Sequence, residues 1–324
     1  MEIALMVLGG LGLFLFAINN LSDALKDLLG ANAKKWLGLF TKNLLSALIT
    51  GVIITVVLDS SSAVIIMTIV LVNAGALTFR QSLGIVMGAN IGTTFSSQII
   101  ALDVGQYSPI PIFIGLVLGF FAKSESVSKT AKVIMYFGIL FFGLYTMERA
   151  VEPLREHEQF LSWMTGLEDP VKGAGTGALV TLVIQSSSAT VGMVITLAKK
   201  ALISLPAGLA VMLGAELGTC SDTLLATIRS NRQAVKTGLF HLFFNILTIC
   251  AGLLLFTPFV QFIQKISGNA NIQQKIANAH MIFNATGVLL FLPFIPLIEK
   301  LLNRWFPVKA ESANKKEIKK TIPT

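Results

Sequence analysis

The sequence predicts an all-α integral membrane protein, an inverted-topology repeat with two re-entrant helical hairpins and about seven spanning helices. Three observations predict it: an apolar composition, an internal repeat, and serine runs that interrupt apolar stretches. Of the 324 residues 54% are hydrophobic and 13% are charged, and the mean hydropathy is +0.75. Soluble domains are about one quarter charged, so an ordinary soluble protein is excluded.

The repeat is visible without gaps at an offset of 126 residues. "TGVIITVVLDSSSAVIIM" (50–67) aligns with "TGALVTLVIQSSSATVGM" (176–193), and "GANIGTT" (88–94) aligns with "GAELGTC" (214–220). Self-similarity at a fixed period indicates a duplicated structural unit. We therefore assign residues 1–105 and 127–231 to two copies of one unit.

The elements follow in chain order. The first apolar run lacks a basic n-region and a cleavage site, so it is predicted to be a retained helix. A linking helix falls within 106–126, two helices lie within 232–300, and a basic cytoplasmic tail covers 301–324. The seven predicted spans are 2–21, 82–101, 108–122, 131–149, 206–227, 237–257 and 277–299.

Each serine run divides a stretch that is too short to cross the membrane twice. The limbs 44–58 and 63–77 have 15 residues each, about 22 Å as helix, against a hydrocarbon thickness of ~30 Å. Re-entrant hairpins at 44–77 and 174–203, with their tips near the midplane, are therefore expected. Non-helical backbone at that depth requires burial in protein or a wet cavity.

The predicted topology is inverted, because an odd number of crossings separates the two units. With the tail inside, the inner segments hold 18 Lys and Arg and the outer segments hold 7, as the positive-inside rule requires. The chain is expected to be a multi-pass protein of the cell (inner) membrane, embedded in its lipid bilayer, with its N-terminus outside and its C-terminus cytoplasmic. The net charge of +8 includes seven basic residues in the tail, which favours membrane anchoring over nucleic acid binding.

The hairpin tips predict an oxyanion site. After each serine run a helix begins, and its unpaired N–H groups and positive dipole end attract anions. The neighbouring Gly-Ala-x-x-Gly-Thr motif offers Thr93, Thr94 and Thr219 as oxygen ligands. Two other interpretations stay open: small-residue helix packing for the glycines, and serine hydroxyls bonded back to their own helix.

The doubled motifs "DSSSA" (59–63) and "QSSSA" (185–189), with the two Gly-Ala motifs, resemble the type II sodium-dependent phosphate cotransporter family over most of the chain to about residue 300. The resemblance implies a non-enzymatic transporter that binds inorganic phosphate between the tips with sodium as the coupling ion, no other cofactor, and a homodimer with a moving transport domain. The bacterial form without a PhoU-like domain is expected. The implied substrate residues are Ser60, Ser61, Ser62, Gln185, Ser186, Ser187 and Ser188, and the implied ion-binding residues include Asn90, Thr93, Thr94, Gln185 and Thr219.

Two positions depart from the family pattern. Asp59 stands where the family has glutamine and Glu216 where it has asparagine, while Asp222 adds a third acid. A carboxylate about 5 Å from a phosphate charge costs roughly 3 kcal/mol at an effective dielectric of 20, so cations or protons must offset it. All three acids are ion-binding candidates. Protonated or snorkelling acids that only pack are the alternative for Glu216 and Asp222.

Several other interpretations are compatible with the sequence. His241 and Asn245, and His280 and Asn284, share a His-x-x-x-Asn spacing that favours interhelical hydrogen bonds over a metal site. The same histidines allow an intramembrane serine hydrolase, which the duplication argues against. A passive channel, a phosphate or other oxyanion exporter, and a proton-coupled transporter are further alternatives.

Overall fold

The computed structural model describes residues 2–102 and 104–307 and contains no β-strand among them. Most of the basic tail, 308–324, lies outside the described residues. Short 3₁₀ turns cover Gly105–Tyr107, Glu152–Glu156 and Leu292–Phe294. The α-helices are α1 (Glu2–Leu39), α2 (Leu44–Leu58), α3 (Ser61–Asn73), α4 (Phe79–Ile100), α5 (Pro109–Phe120), α6 (Glu125–Val151), α7 (Glu158–Gly166), α8 (Pro170–Ile184), α9 (Ser187–Lys199), α10 (Leu205–Gly218), α11 (Cys220–Leu225), α12 (Arg232–Leu254), α13 (Phe256–Ser267), α14 (Ile272–Phe291) and α15 (Ile295–Trp305).

Four stretches of the described chain are long and apolar enough to cross a membrane: Ile3–Leu25, Glu125–Leu154, Arg232–Leu254 and Ile272–Trp305. A fifth is reached if α4 and the segment from Gly105 to Phe120, which meet at 77°, count as one span. The expected seven full-length spans are thus corrected to four or five on these criteria. The helix expected at 206–227 is interrupted at Thr219, and α5 has only 12 residues, about 18 Å.

The internal repeat reappears in the helix boundaries. Adding 126 to the bounds of α2 and α3 gives those of α8 and α9, and α4 and α10 begin at equivalent positions. Each half therefore contains two short helices separated by a break, followed by a helix that starts anew from a polar cap. These caps are Thr78 and Ser204, whose side chains accept hydrogen bonds from backbone N–H groups of the first turn.

The chain reverses direction at the break between α2 and α3. Methyl groups placed on Gly84 and Gly92 would meet the Ala47 methyl at 2.7 Å and the Thr55 Cβ at 2.6 Å, so α4 runs parallel to α2. Gln81 at the start of α4 also donates to the Thr41 carbonyl at 2.7 Å. The chain has therefore returned along α3 to the level where α2 began, which is a helical hairpin. Its re-entrant placement in a bilayer stays a prediction.

The second half is packed in the same way. Gly214 and Gly218 of α10 face Ala174 and Thr181 of α8, so these two helices are also parallel. A methyl at Gly214 would overlap the Ala174 carbonyl, and one at Gly88 would overlap the Leu48 carbonyl. The glycines of both Gly-Ala-x-x-Gly motifs thus bring helix backbones together, as the packing interpretation expects.

The first helices of the two halves, α1 and α6, pack against each other in opposite directions. A methyl at Gly10 would meet Met147, whereas one at Gly143 would meet Phe14. Residue numbers rise on one helix while they fall on the other, so the pair is antiparallel. An ion-pair cluster joins α6 to the end of α9: Glu148 bonds the Nζ atoms of Lys199 at 2.6 Å and Lys200 at 3.1 Å.

Candidate functional site

Both hairpin tips are built by the same backbone geometry. Asp59 ends α2 and Gln185 ends α8, and both adopt the left-handed conformation, with φ of 49° and 58°. This conformation is uncommon for residues other than glycine. It redirects the chain so that Ser60 and Ser186 cap α3 and α9, accepting from Ala63 N at 3.2 Å and Ala189 N at 3.1 Å. Each tip thus presents a helix N-terminus whose first serine is a cap.

Two carboxylates meet the first tip. The Ser96 hydroxyl of α4 donates to the Asp59 carboxylate, and Asp222 on α11 lies beside Ser62. Asp222 also accepts from Thr223 N at 2.6 Å. The structure thus brings the predicted candidates Asp59, Ser62 and Asp222 together, although Asp222 belongs to the second half.

The second tip carries no acidic residue, and a hydrogen bond joins the two limbs of its hairpin. Ser187 and Ser188 are buried at the start of α9, whereas the Gln185 side chain is exposed. Below the tip, Thr181 Oγ1 donates to Thr190 Oγ1 at 2.7 Å and joins the two limbs. In the first half the position of Thr190 is taken by Val64, so that bond has no counterpart there.

Two buried polar atoms of the first half are without a hydrogen-bond partner. They are Oγ1 of Thr55, which is 1% exposed, and Nδ2 of Asn90, which is 2% exposed. Thr55 lies four residues before Asp59, which caps the end of α2, so the two are about one helical turn apart. Buried polar groups in native proteins are almost always paired, so the Thr55 hydroxyl is a candidate ligand beside the first tip.

The three predicted threonine ligands bond back to their own helices. Thr93 donates to the Ala89 carbonyl at 3.1 Å, Thr94 to Ile91 at 2.7 Å, and Thr219 to Ala215 at 3.2 Å. These are local side chain to backbone bonds of the kind that buried helical threonines often make. Their oxygen lone pairs stay available, so their assignment as ion ligands stays a prediction.

Glu216 belongs to a polar network between helices. Its Oε1 is 2.6 Å from His280 Nε2, and His280 Nδ1 is 2.7 Å from Ser97 Oγ. The other histidine, His241, places Nδ1 2.8 Å from Thr223 Oγ1. The interhelical hydrogen bonds expected of the two His-x-x-x-Asn motifs are therefore present. Within the described chain, no group of three or more His, Cys, Asp or Glu is arranged to hold a metal ion.

Sequence reasoning missed four residues of this region: Thr55, Ser96, Ser97 and Thr223. A signal was nevertheless present, because Ser96 and Ser97 align with Asp222 and Thr223 at the repeat offset. Reading polarity position by position across the two copies would have found them.

Comparisons with known proteins agree with this architecture. Residues 13–149 and 154–291 match the family described as Na+/Pi-cotransporter. The chain is 28% identical to the uncharacterized protein YqeW of Bacillus subtilis over 297 residues, which cover 91% of this chain and 96% of YqeW.

Two further relatives carry transport names. The chain is 26% identical to the putative inorganic phosphate export protein YjbB of Escherichia coli, over 74% of this chain but only 44% of that protein. It is 35% identical to human sodium-dependent phosphate transport protein 2B over 107 residues, which cover 32% of this chain and 16% of that protein. No solved structure matches the chain.

Proposed function

Because this chain belongs to the Na+/Pi-cotransporter family, we propose that it is a secondary active transporter that moves inorganic phosphate across the membrane together with sodium. The anion is held between the two hairpin tips near the midplane. The two halves insert in opposite orientations, the N-terminus lies outside the cell membrane, and two copies form a dimer, as the family resemblance implies.

The observation that carries the proposal is the pair of matching tips. Each tip ends one helix in the left-handed conformation and begins the next at a serine cap, at positions 126 residues apart. A helix N-terminus attracts an oxyanion through free N–H groups and its dipole. Two such ends on halves of opposite direction supply the symmetric site that inverted-repeat transporters use, and the antiparallel α1 and α6 support that arrangement.

The two tips differ in charge, and this difference indicates which ion each tip binds. Asp59 and Asp222 both lie against the first tip, and a phosphate beside them would be repelled. Sodium takes carboxylate and hydroxyl oxygens, and the unpartnered Thr55 hydroxyl stands one helical turn from Asp59. We assign the coupling cation to the first tip and most of the phosphate contacts to the neutral second tip, with Gln185, Ser187 and Ser188.

The test is flux of radiolabelled phosphate into proteoliposomes with and without an imposed sodium gradient. Sodium-stimulated uptake is expected, and Ser187→Ala should abolish most of it, while Ser126→Ala, an exposed serine of α6, serves as the matched control. If the wild type takes up phosphate at the same rate with and without the sodium gradient, the proposed sodium coupling is wrong.

Export is a second candidate direction, favoured by the name of the Escherichia coli relative. Direction follows the gradients and not the binding residues, so both share one site. Proteoliposomes loaded with phosphate and given sodium on either side separate import from export. A proton gradient in place of sodium tests the proton-coupled alternative.

The serine hydrolase alternative has a triad-like group of residues in the structure, but a substrate cannot reach its serine. Ser97, His280 and Glu216 are joined in the order hydroxyl, imidazole and carboxylate, like a catalytic triad. Ser97 and His280 are, however, 0% exposed, so no substrate carbonyl can reach the hydroxyl. Absence of labelling by a serine-reactive phosphonate is the expected result.

A further inference from the structure

Each of the two buried histidines bonds a hydroxyl at the same position of the repeat. His280 Nδ1 lies 2.7 Å from Ser97 Oγ, and His241 Nδ1 lies 2.8 Å from Thr223 Oγ1. Ser97 and Thr223 are 126 residues apart, and each histidine opens a His-x-x-x-Asn motif on α14 or α12. The last helices, which lie outside the sequence repeat, therefore continue its symmetry through these contacts.

The two hydroxyls directly follow the residues that touch the first tip. Ser96, which bonds Asp59, precedes Ser97, and Asp222, which lies beside Ser62, precedes Thr223. Each histidine is thus bonded to the residue next to a tip contact. A bond that fixes position 97 or 223 also fixes the helical turn that presents position 96 or 222.

A chain of buried bonds links the two histidines. His280 Nε2 bonds Glu216 Oε1 at 2.6 Å, Asn245 Nδ2 donates to the Glu216 carbonyl at 3.0 Å, and His241 Nε2 lies 3.1 Å from Asn245 Nδ2. All four side chains are at most 2% exposed. Helices α4, α10, α12 and α14 are therefore held in one register, and water does not compete for these bonds.

We propose that His241 and His280 are positioning residues of the transport site, which set the placement of Asp222 and Ser96 at the first tip. Neither histidine touches the transported ions, and each acts through the hydroxyl that it bonds. A displacement of about 1 Å in a supporting group is enough to weaken a site. The inference rests on the proposed phosphate transport and adds the residues that keep its first tip in shape.

The two ring nitrogens can be tested separately at His241. The side-chain amide of asparagine occupies the position of Nδ1, so His241→Asn keeps a hydrogen-bond partner for Thr223. The longer side chain of glutamine places its amide at the position of Nε2, so His241→Gln removes the partner of Thr223. His241→Gln should raise the half-saturating sodium concentration for phosphate uptake by about fivefold or more at similar maximal rate, which is about 1 kcal/mol of binding. His241→Asn should stay close to the wild type.

Removing the hydroxyl must reproduce the effect. Thr223→Ala should raise the half-saturating sodium concentration as His241→Gln does, and the double variant should be no worse than either, because both delete one bond. Ser97→Ala and His280→Gln form the same cycle at the other histidine and serve if a His241 variant fails to fold. Thermal unfolding of each purified variant identifies such a failure.

Outcomes separate the inference from the function on which it rests. Two outcomes overturn the positioning role and leave the transport proposal standing, provided that the wild type takes up phosphate. In the first, all variants have the same sodium affinity as the wild type. In the second, both His241 variants lower only the maximal rate. No sodium-stimulated uptake by the wild type overturns both.

Discussion

The Ser96 hydroxyl donates a hydrogen bond to the Asp59 carboxylate. In the second half Gln185 takes the position of Asp59 and Asp222 takes the position of Ser96, so the acidic residue of the pair is at the other position. The acid has thus changed places between the tip and the following helix. Since Asp222 lies beside Ser62, both acids are still placed at the first tip. The sequence asymmetry between the halves becomes a charge asymmetry between the tips.

Replacing Asp59 by glutamine restores the residue found at the second tip. We expect Asp59→Gln to raise the half-saturating sodium concentration by about tenfold, equivalent to about 1.4 kcal/mol of binding, because the proposed carboxylate ligand is lost. Ser96→Ala, which keeps the carboxylate, is the control and should have a smaller effect. Sodium titration of phosphate uptake measures both.

The same titration, repeated at several pH values with Glu216→Asn, tests the second departure from the family pattern. Glu216 bonds His280 and not a tip residue, so its replacement should change sodium affinity less than Asp59→Gln does. Unchanged sodium and pH dependence in both Asp59→Gln and Glu216→Asn would show that neither acid takes part in coupling.

The unpartnered hydroxyl of Thr55 gives a prediction in which stability and function move separately. Thr55→Val removes an unpaired buried oxygen, so the unfolding temperature should stay the same or rise. If that oxygen binds sodium, sodium stimulation of uptake should nevertheless fall. Thr68→Val is the control, since Thr68 is also buried but donates to the Val64 carbonyl. Equal sodium responses of both variants would exclude Thr55 as a ligand.

The bond between Thr181 and Thr190 predicts the opposite behaviour in the second hairpin. Thr190→Val copies the first half and leaves the buried Thr181 hydroxyl without its partner, which should lower the free energy of unfolding by about 1–3 kcal/mol. The double variant with Thr181→Val should be more stable than Thr190→Val alone. Thermal unfolding in detergent measures the stability of both variants. A double variant that is less stable than Thr190→Val alone contradicts the prediction.

Helix α8 contains a matched pair of glycines for testing the close packing of the hairpins. A methyl at Gly177 would overlap the Val211 carbonyl of α10, whereas Gly175 has nothing within 4 Å. Gly177→Ala should destabilise the protein by about 1–3 kcal/mol or more, and Gly175→Ala should be neutral or stabilising by up to about 1 kcal/mol. Similar unfolding temperatures would show that α8 and α10 are not in close contact.

Local features of the hairpins could be predicted from sequence. The first limb was predicted at 44–58 and is Leu44–Leu58, because the apolar run ends at a polar tip. The second hairpin was expected from 174 but begins at Pro170, where Asp169 caps the helix by accepting from Val171 N and Lys172 N. Lys172 made that turn look like a loop.

Long-range contacts could not be predicted in this way. The approach of Asp222 to the first tip and the bonds of His241 and His280 join residues that are far apart in the chain, and periodicity carries no information on such pairs. The helix at 206–227 was predicted whole, whereas the structure interrupts it at Thr219. The division into units and the assignment of the site residues stay predictions.

The antiparallel packing of α1 against α6 means that the first helices of the two copies contact each other with reversed direction. In this pair the two copies are therefore related by a rotation and not by a translation along the chain.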